Sequence, residues 1–395
     1  MANSFFKLLR GATVFASEAM GKKDILIAGE KVAAIGDRLE APSGYDCEVA
    51  DLTGMTLMPG FIDSHVHLIG GGGEGGYATR TPEIVLSRVT TSGVTTVAGL
   101  LGTDGTTRHV ASLLAKARGL ETEGISTYIY TGAYELPTPT ITGSVRSDII
   151  LVDKIIGAGE IAMADHRSAQ PSCAEYRKLA AEARVGGMLS GKAGVVDMHL
   201  GDGRDGLNFL FEITENGEIP KTQFIPTHLN RNEHLFQQSI EWAKAGGIMD
   251  ITSGVSPASG SAHAVKPSTA VKRALDAGVA ISQITMSSDG NGSMPIFDAQ
   301  GNTVGVGVAS QASILEEIRD MVLKEGIAPE LALQIVTSNP ARVLKLKQKG
   351  HVAAGLDADF TVVDAGFGLQ HVWARGQHMV KDGRAIVFGT FEEKA

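Results

Sequence analysis

The sequence predicts an α/β protein: a (β/α)₈ TIM barrel with a small β-sandwich domain built from both chain ends. Through the middle of the chain, apolar strand-like segments alternate with amphipathic helical segments, which is typical of βα units around a parallel sheet. Both ends instead carry short apolar runs separated by turn residues. With 395 residues, 43% of them hydrophobic, the chain can bury a large core and a smaller one.

The strand-like runs at the two ends match each other in length and pattern. They lie at residues 12–15, 24–29, 31–36, 359–363, 371–376 and 379–384. We expect them to form one antiparallel sheet, and we place a composite β-sheet domain at 1–57 and 347–395. The catalytic barrel then occupies residues 58–346.

Eight strand candidates lie between the two ends, enough for a barrel of ~250 residues. They are found at residues 57–68, 93–100, 126–131, 155–160, 194–199, 223–228, 247–252 and 282–289. Segments between them, such as 81–89 and 312–319, have helical period and plausible caps.

Composition excludes several classes of partner. The net charge of −9 and the absence of a Lys/Arg-rich run give no footprint for nucleic acid. Cys47 and Cys173 are far apart, which favours a reducing compartment over a disulfide framework. No stretch reaches the roughly 20 apolar residues that cross a bilayer, and charged residues interrupt the apolar start of the chain. We therefore expect a cytoplasmic protein with no membrane partner.

Polar side chains gather where the predicted barrel strands end, which is where barrel enzymes place their active sites. They are His65, His67, Glu160, His199, His228 and Asp289. Each of them could be an ordinary hydrogen-bonded rim residue, but their shared placement favours a common function. Four imidazoles and two carboxylates suit two Zn²⁺ ions, or other divalent metals.

A two-metal centre of this kind predicts hydrolysis. A bridging carboxylate holds two ions ~3.5–4 Å apart, and a water between them becomes a hydroxide near neutral pH. Asp289 is placed to bind a metal, to accept the proton and to pass it to a leaving amine. The alternative for Asp289 is a helix N-cap before residues 290–293.

Seven segments together resemble the bacterial isoaspartyl dipeptidase family of the amidohydrolase superfamily. They are residues 60–63, 65–74, 100–104, 131–134, 165–169, 226–232 and 287–293. The resemblance runs nearly end to end. It implies zinc-dependent hydrolysis of the β-aspartyl bond of a dipeptide, and it implies a homo-oligomer.

Position by position, the resemblance implies His65 and His67 on one metal and His199 and His228 on the other. It implies that Asp289 is both a ligand and the proton carrier. The substrate-recognition set that it implies is Glu74, Thr103, Tyr134, Arg167, Arg231 and Ser293.

The charges of this set match an isoaspartyl dipeptide, which has two free carboxylates and one ammonium. Arginine binds carboxylate through two parallel hydrogen bonds, so Arg167 and Arg231 fit the carboxylates and Glu74 fits the ammonium. Tyr134 could donate to the developing oxyanion. The alternative for Arg167 is surface pairing with Asp165 or Glu175. We interpret the glycine run at 70–73 as a mobile loop that lets Glu74 reach the substrate.

One residue departs from the family pattern. Where the family commonly has a lysine that carbon dioxide carboxylates, this chain has Glu160. Glutamate already supplies a carboxylate, so we expect Glu160 to bridge both metals without modification. The alternative is a solvated or salt-bridged rim carboxylate beside a single metal.

Two other kinds of function stay open. A cyclic-amide hydrolase or an N-acyl amino acid deacylase would use the same scaffold, but its substrate would leave one arginine and Glu74 without partners. A catalytically silent scaffold protein would have lost metal ligands, and none is lost here.

Overall fold

The computed structural model describes residues 4–16, 18–297 and 303–393. Five strands form its N-terminal part: β1 (Phe6–Phe15), β2 (Ala19–Ala28), β3 (Lys31–Gly36), β4 (Cys47–Asp51) and β5 (Thr56–Pro59). Strand β2 pairs antiparallel with both β1 and β3, so the start of the chain is a meander.

All eight predicted barrel segments are strands in the described part of the chain. They are β6 (Phe61–Val66), β7 (Val94–Gly99), β8 (Ser126–Thr131), β9 (Ile155–Met163), β10 (Val195–Leu200), β11 (Phe224–Thr227), β12 (Met249–Thr252) and β13 (Ile284–Ser287). Strands β6 to β11 form a curled parallel sheet in chain order, and β12 pairs parallel with β13.

Backbone hydrogen bonds connect the six-stranded sheet with the β12–β13 pair on both sides. The Leu229 amide, just after β11, donates to the Asp250 carbonyl in β12 at 3.3 Å. The His67 amide, just after β6, donates to the Gly290 carbonyl beyond β13 at 2.9 Å. The parallel strands therefore curl round a common interior, and their carboxyl ends face one rim.

Helices cover the outside of this sheet. They are α1 (Leu86–Thr90), α2 (Val110–Glu123), α3 (Val145–Leu151), α4 (Cys173–Ser190), α5 (Asn208–Glu215), α6 (Glu233–Lys244), α7 (Pro267–Asp276), α8 (Ser313–Leu323), α9 (Pro329–Gln334) and α10 (Ser338–Val343). A hairpin of β14 (Ser293–Phe297) and β15 (Thr303–Val308) precedes α8. Within the described ranges, none of these helices combines the length and the apolar character needed to span a bilayer.

The predicted helix at residues 81–89 is wrong in its first half. Helix α1 begins only at Leu86, because the chain before it is held extended. The Ile84 amide donates to the Leu68 carbonyl, and the Thr81 amide donates to the Gly71 carbonyl. Tertiary hydrogen bonds therefore override the helical pattern. The prediction at 312–319 is confirmed by α8.

Both chain ends build one sheet, as expected. The sheet contains parallel as well as antiparallel pairs of strands, and the β-sandwich stays a prediction. The C-terminal strands are β16 (Phe360–Val363), β17 (Leu369–Ala374), β18 (Gln377–Lys381) and β19 (Arg384–Ala385). Strand β16 pairs with β5 and so joins the two ends in one continuous sheet. Strands β4 and β5 run parallel to β1 along its two halves. The domain boundaries at 57/58 and 346/347 stay a prediction.

Candidate active site

The ends of the barrel strands bring the six predicted metal ligands together. His65 is the penultimate residue of β6, and His67 directly follows that strand. His199 is the penultimate residue of β10. His228 and Asp289 follow β11 and β13. Glu160 lies inside β9, three residues before its end.

Glu160 lies at the centre of the four imidazoles. Its Oε2 is 2.9 Å from Nδ1 of His199, 3.4 Å from Nε2 of His65 and 3.8 Å from Nε2 of His228. Its Oε1 is 3.5 Å from Nε2 of His67. The side chain is 1% exposed, so Glu160 is not a solvated carboxylate, and the alternative of a salt-bridged carboxylate beside a single metal stays a prediction.

Asp289 joins the same cluster. Its Oδ1 is 3.1 Å from Nε2 of His67 and 3.7 Å from Nε2 of His65. The chain after Asp289 turns into β14 rather than into a helix, so the N-cap alternative is wrong. Asp289 (φ 57°) and His228 (φ 63°) both adopt left-handed backbone, a conformation that is uncommon for residues other than glycine and is found at functional sites.

Three imidazoles are oriented by a buried partner at their other ring nitrogen. Nδ1 of His65 contacts Asp197 at 3.1 Å, and Nδ1 of His228 contacts Thr252 at 2.8 Å. Nε2 of His199 contacts Asp165 at 3.0 Å. Such partners select the ring orientation of metal-binding histidines.

The sequence predicts no contact with an imidazole for Asp165, Asp197 or Thr252. A signal existed for Asp197, because it precedes His199 by two residues in one strand and therefore shares its face. The partners Asp165 and Thr252 lie on elements other than those of the imidazoles they contact, so only the fold pairs them.

The cluster fits a divalent metal. Among the described residues, Nε2 of His65 is a buried ring nitrogen without a hydrogen-bond partner, although it lies 3.4 Å from Glu160 and 3.7 Å from Asp289. A buried nitrogen of this kind costs free energy unless a ligand satisfies it. Two sets of donor atoms lie within 4.8 Å of one another: His65, His67 and Asp289, and His65, Glu160 and His228. Nitrogen and carboxylate donors are the ligands that Zn²⁺ accepts.

Electrostatics in the cluster also favour a cation. Burial alone would raise the pKa of Glu160, but the imidazoles of His65 and His199 lower it well below its usual range. Burial would lower the pKa of His65, but Asp197 and Glu160 raise it well above the ordinary value. Burial lowers the pKa of His228 to about 3, which keeps this imidazole in the neutral form that binds metals.

The predicted substrate-recognition residues surround this cluster. The Tyr134 hydroxyl lies 2.8 Å from Nδ1 of His199. Its pKa is raised well above 10 by burial and by the Glu160 carboxylate, so the phenol is a hydrogen-bond donor at neutral pH. Thr103 donates to Oε1 of Glu74 at 2.8 Å.

Arg167 makes the pairing with Asp165 that its alternative expected, and it also contacts Glu74. Its Nε and Nη2 donate to the two oxygens of Asp165 at 2.9 and 2.7 Å, as the alternative of pairing with Asp165 expected. Its Nη1 donates to Glu74 at 3.1 Å, so the guanidinium also reaches the recognition set. Glu175 instead caps α4 with Ser172. The fork on Asp165 therefore holds Arg167 in place beside Glu74.

A cavity of about 890 Å³ opens above the cluster. Its lining includes Arg167, Arg231, Ser288, Asp289, Ser293 and Met294. A basic pair, the Asp289 carboxylate and small polar groups therefore face one space beside the four imidazoles.

Comparisons with known proteins place the chain among the amidohydrolases. An amidohydrolase family profile matches residues 223–390, and a second amidohydrolase family profile matches residues 48–100. A β-aspartyl dipeptidase from Fervidobacterium islandicum AW-1, solved with the dipeptide β-Asp-Leu, is 46% identical, with a TM-score of 0.87. The match covers 96% of this chain and 98% of that one. The chain belongs to the β-aspartyl dipeptidase family.

As a β-aspartyl dipeptidase family member, the chain is a hydrolase of the amidohydrolase type. More distant relatives share less with it. A dihydropyrimidinase from Brevibacillus agri NCHU1002, at 19% identity and a TM-score of 0.71, shares the fold. The dihydroorotase of Listeria monocytogenes serotype 4a (strain HCC23) is 45% identical over 69 residues, which span 18% of this chain and only 16% of that enzyme.

Proposed function

We propose that this protein hydrolyses the β-aspartyl bond of isoaspartyl dipeptides in a site that holds two divalent metals, most suitably Zn²⁺. The observation that carries the proposal is the charged pair of Glu74 and Arg167, 3.1 Å apart at the metal-ligand cluster. The family relative solved with β-Asp-Leu supports the same substrate class.

The Glu74–Arg167 pair suits the head group of a β-aspartyl residue, which carries an ammonium and a carboxylate on one carbon. When such a head group binds, the Glu74–Arg167 ion pair is replaced by two others: Glu74 binds the ammonium and Arg167 binds the carboxylate. The pKa of Glu74 lies below its ordinary value, since the hydrogen bond from Thr103 and the charge of Arg167 outweigh burial. The pair is therefore charged at neutral pH.

The second carboxylate of the dipeptide belongs to the leaving residue. Arg231 lines the cavity that Arg167 also lines, and its guanidinium is available for this carboxylate. Thr103 and Ser293 complete the proposed recognition set, Thr103 by orienting Glu74 and Ser293 from the start of β14.

In this proposal His65, His67 and Asp289 would hold one metal, His199 and His228 would hold the other, and the Glu160 carboxylate would supply a ligand to both. When bound, the metals would polarise the scissile carbonyl and lower the pKa of water. Glu160 needs no carboxylation because its two oxygens already face imidazoles on both sides.

The chain's own groups then complete the reaction. Tyr134 donates a hydrogen bond to the oxygen on which negative charge develops. Asp289 accepts a proton from the attacking water and passes it to the leaving nitrogen as the carbon–nitrogen bond breaks. Asp289 starts in the ionised form, because the hydrogen bond from His67 and the nearby imidazoles outweigh burial and lower its pKa.

The test is hydrolysis of β-Asp-Leu beside its ordinary isomer α-Asp-Leu, on protein reconstituted with zinc and with its metal content measured. We expect cleavage of the β isomer only, with two metals per chain. Failure to cleave either isomer with two metals bound would point to another amide substrate. A single metal in the fully loaded protein would contradict the bridging role of Glu160.

A further inference from the structure

Arg108 has a buried guanidinium that donates hydrogen bonds to backbone carbonyls. It lies two residues before α2 and is only 5% exposed. Its Nε donates to the carbonyl of Ile69 at 3.2 Å, its Nη1 to Gly72 at 3.1 Å and its Nη2 to Gly71 at 2.8 Å. Asp104 lies 3.5 Å from Nη1. This use of a buried arginine indicates that the segment holding those carbonyls must keep one shape.

That segment is the glycine-rich loop after β6. Gly70 and Gly72 adopt left-handed backbone, with φ of 82° and 69°. A Cβ on Gly70 would lie 2.1 Å from the Thr81 carbonyl oxygen. The Gly71 amide also donates to Oγ1 of Thr81 at 2.7 Å. The glycines therefore allow the carbonyls of residues 69, 71 and 72 to converge on one guanidinium.

The sequence predicted a mobile loop here, whereas residues 69–72 are tied down from two sides. Glu74 follows the tied segment by only two residues, a reach of roughly 7 Å. Its carboxylate is then held by Thr103, which lies in the same connection after β7 that carries Arg108. Arg108 thus fixes the point from which the Glu74 side chain starts.

We propose that Arg108 is a positioning residue that places the Glu74 carboxylate and thereby sets the preference for substrates with a free ammonium. Arg108 positions Glu74 indirectly, because its guanidinium binds the loop carbonyls. The inference rests on the proposed function, since it assigns the ammonium to Glu74.

Succinyl-leucine tests this role, because it is β-Asp-Leu without the α-amino group. In Arg108→Met we expect kcat/KM for β-Asp-Leu to fall by about 10- to 100-fold, the effect of misplacing a binding group by about 1 Å. For succinyl-leucine we expect a change of less than about twofold. Glu74→Gln should show the same selective loss, and the double variant should lose little more than either single variant.

Arg118→Met is the matched control, since Arg118 lies on α2 and pairs with Asp153 at the surface. This variant should keep the wild-type kcat/KM for both β-Asp-Leu and succinyl-leucine. Independently of activity, hydrogen exchange at the amides of Gly71 and Thr81 should be faster in Arg108→Met than in the control.

Equal losses on both substrates, or no loss on either, would overturn the positioning role. If the wild type cleaves no β-Asp-Leu, the proposed function fails first. In that case unchanged exchange at Gly71 and Thr81 would overturn the inference about Arg108, and faster exchange would support its hold on the loop.

Discussion

Glu160 is the one ligand that both metals of the proposed site would share. It contacts all four imidazoles, and the lowered pKa of its carboxyl keeps it ionised beside them. Replacing one of its oxygens with an amide nitrogen removes both the charge and a donor atom. The whole arrangement should then lose metal.

In Glu160→Gln we therefore expect zinc affinity to fall by more than the roughly 10- to 100-fold that outer partners of metal ligands cause. Competition with a chelator and metal analysis of dialysed protein measure this. The control is Glu40→Gln, an exposed glutamate at the composite sheet. Retention of two tightly bound zinc ions in Glu160→Gln would contradict the bridge.

Asp289→Asn separates proton transfer from folding. The amide keeps the shape of the side chain but cannot accept the proton, so kcat for β-Asp-Leu should fall by about 10²- to 10⁴-fold. Steady-state kinetics measure the loss, and circular dichroism checks the fold. Asp276→Asn, at an exposed site that pairs with Lys272, should retain full activity. Normal turnover in Asp289→Asn would remove Asp289 from proton transfer.

At this scale the predicted site residues could be found because their positions follow strand periodicity. His65 and His67 are two residues apart, so an extended chain turns both to one side. Their partners could not be found in the same way. The contact of Arg167 with Glu74 joins residues 93 positions apart, and no local pattern encodes that distance.

At the scale of elements, strands β17 and β18 hold a stacked cluster away from the proposed site. The His378 ring stacks on Trp373 with centroids 4.2 Å apart, and Nε2 of His378 lies 3.2 Å from Nδ1 of His371. Burial, together with the neighbouring His371, lowers the pKa of His378 to about 4 from an ordinary 6.5. Folding therefore favours the neutral imidazole.

This shift predicts a pH dependence of stability. The unfolded chain binds a proton at His378 below pH 6.5, whereas the folded chain resists until about pH 4. Stability is therefore lost as the pH falls through this window, by about 2 kcal/mol at pH 5 from this residue.

His378→Phe keeps a ring on Trp373 and removes the titration. Urea unfolding at pH 7 and pH 5 should show a smaller loss of stability in this variant than in the wild type. His234→Gln, which removes an exposed imidazole on α6, should keep the wild-type loss. An unchanged difference in His378→Phe would contradict the assignment.

Elements were predicted well where pattern and packing agree. Strands such as β6, β7 and β9 are buried along their whole length because a parallel sheet is covered on both faces, and their apolar runs are visible in the sequence. The start of α1 was mispredicted, since residues 81–84 donate to the loop after β6 instead of to their own turn. A local helical period cannot show such a partner.

At the scale of the whole molecule, Lys349 connects the barrel with the composite sheet. Its ammonium donates to Ser126 at the start of β8 at 2.6 Å and to Asp359 beside β16 at 2.5 Å. It also lies 2.7 Å from Asp357, and its side chain is 4% exposed. The pKa of Lys349 is raised, because the two aspartates outweigh burial.

In Lys349→Met we expect a loss of about 3–5 kcal/mol in the free energy of unfolding, since a buried aspartate is left without its counter-charge. Urea unfolding at neutral pH measures it. Lys345→Met removes an exposed lysine four residues earlier and should change stability by less than about 0.5 kcal/mol. A similarly small change in Lys349→Met would show that the buried contact contributes little.

The sequence by itself determined the eight parallel strands, the composite sheet of both ends and the set of polar residues at the strand ends. These follow from periodicity and from the rule that parallel strands end at one rim. Only the tertiary structure decided that β4 and β5 run parallel to β1, that Glu160 contacts all four imidazoles and that Arg108 holds the loop before Glu74. Those contacts join residues far apart in the chain, and their geometry exists only after the strands have paired and curled.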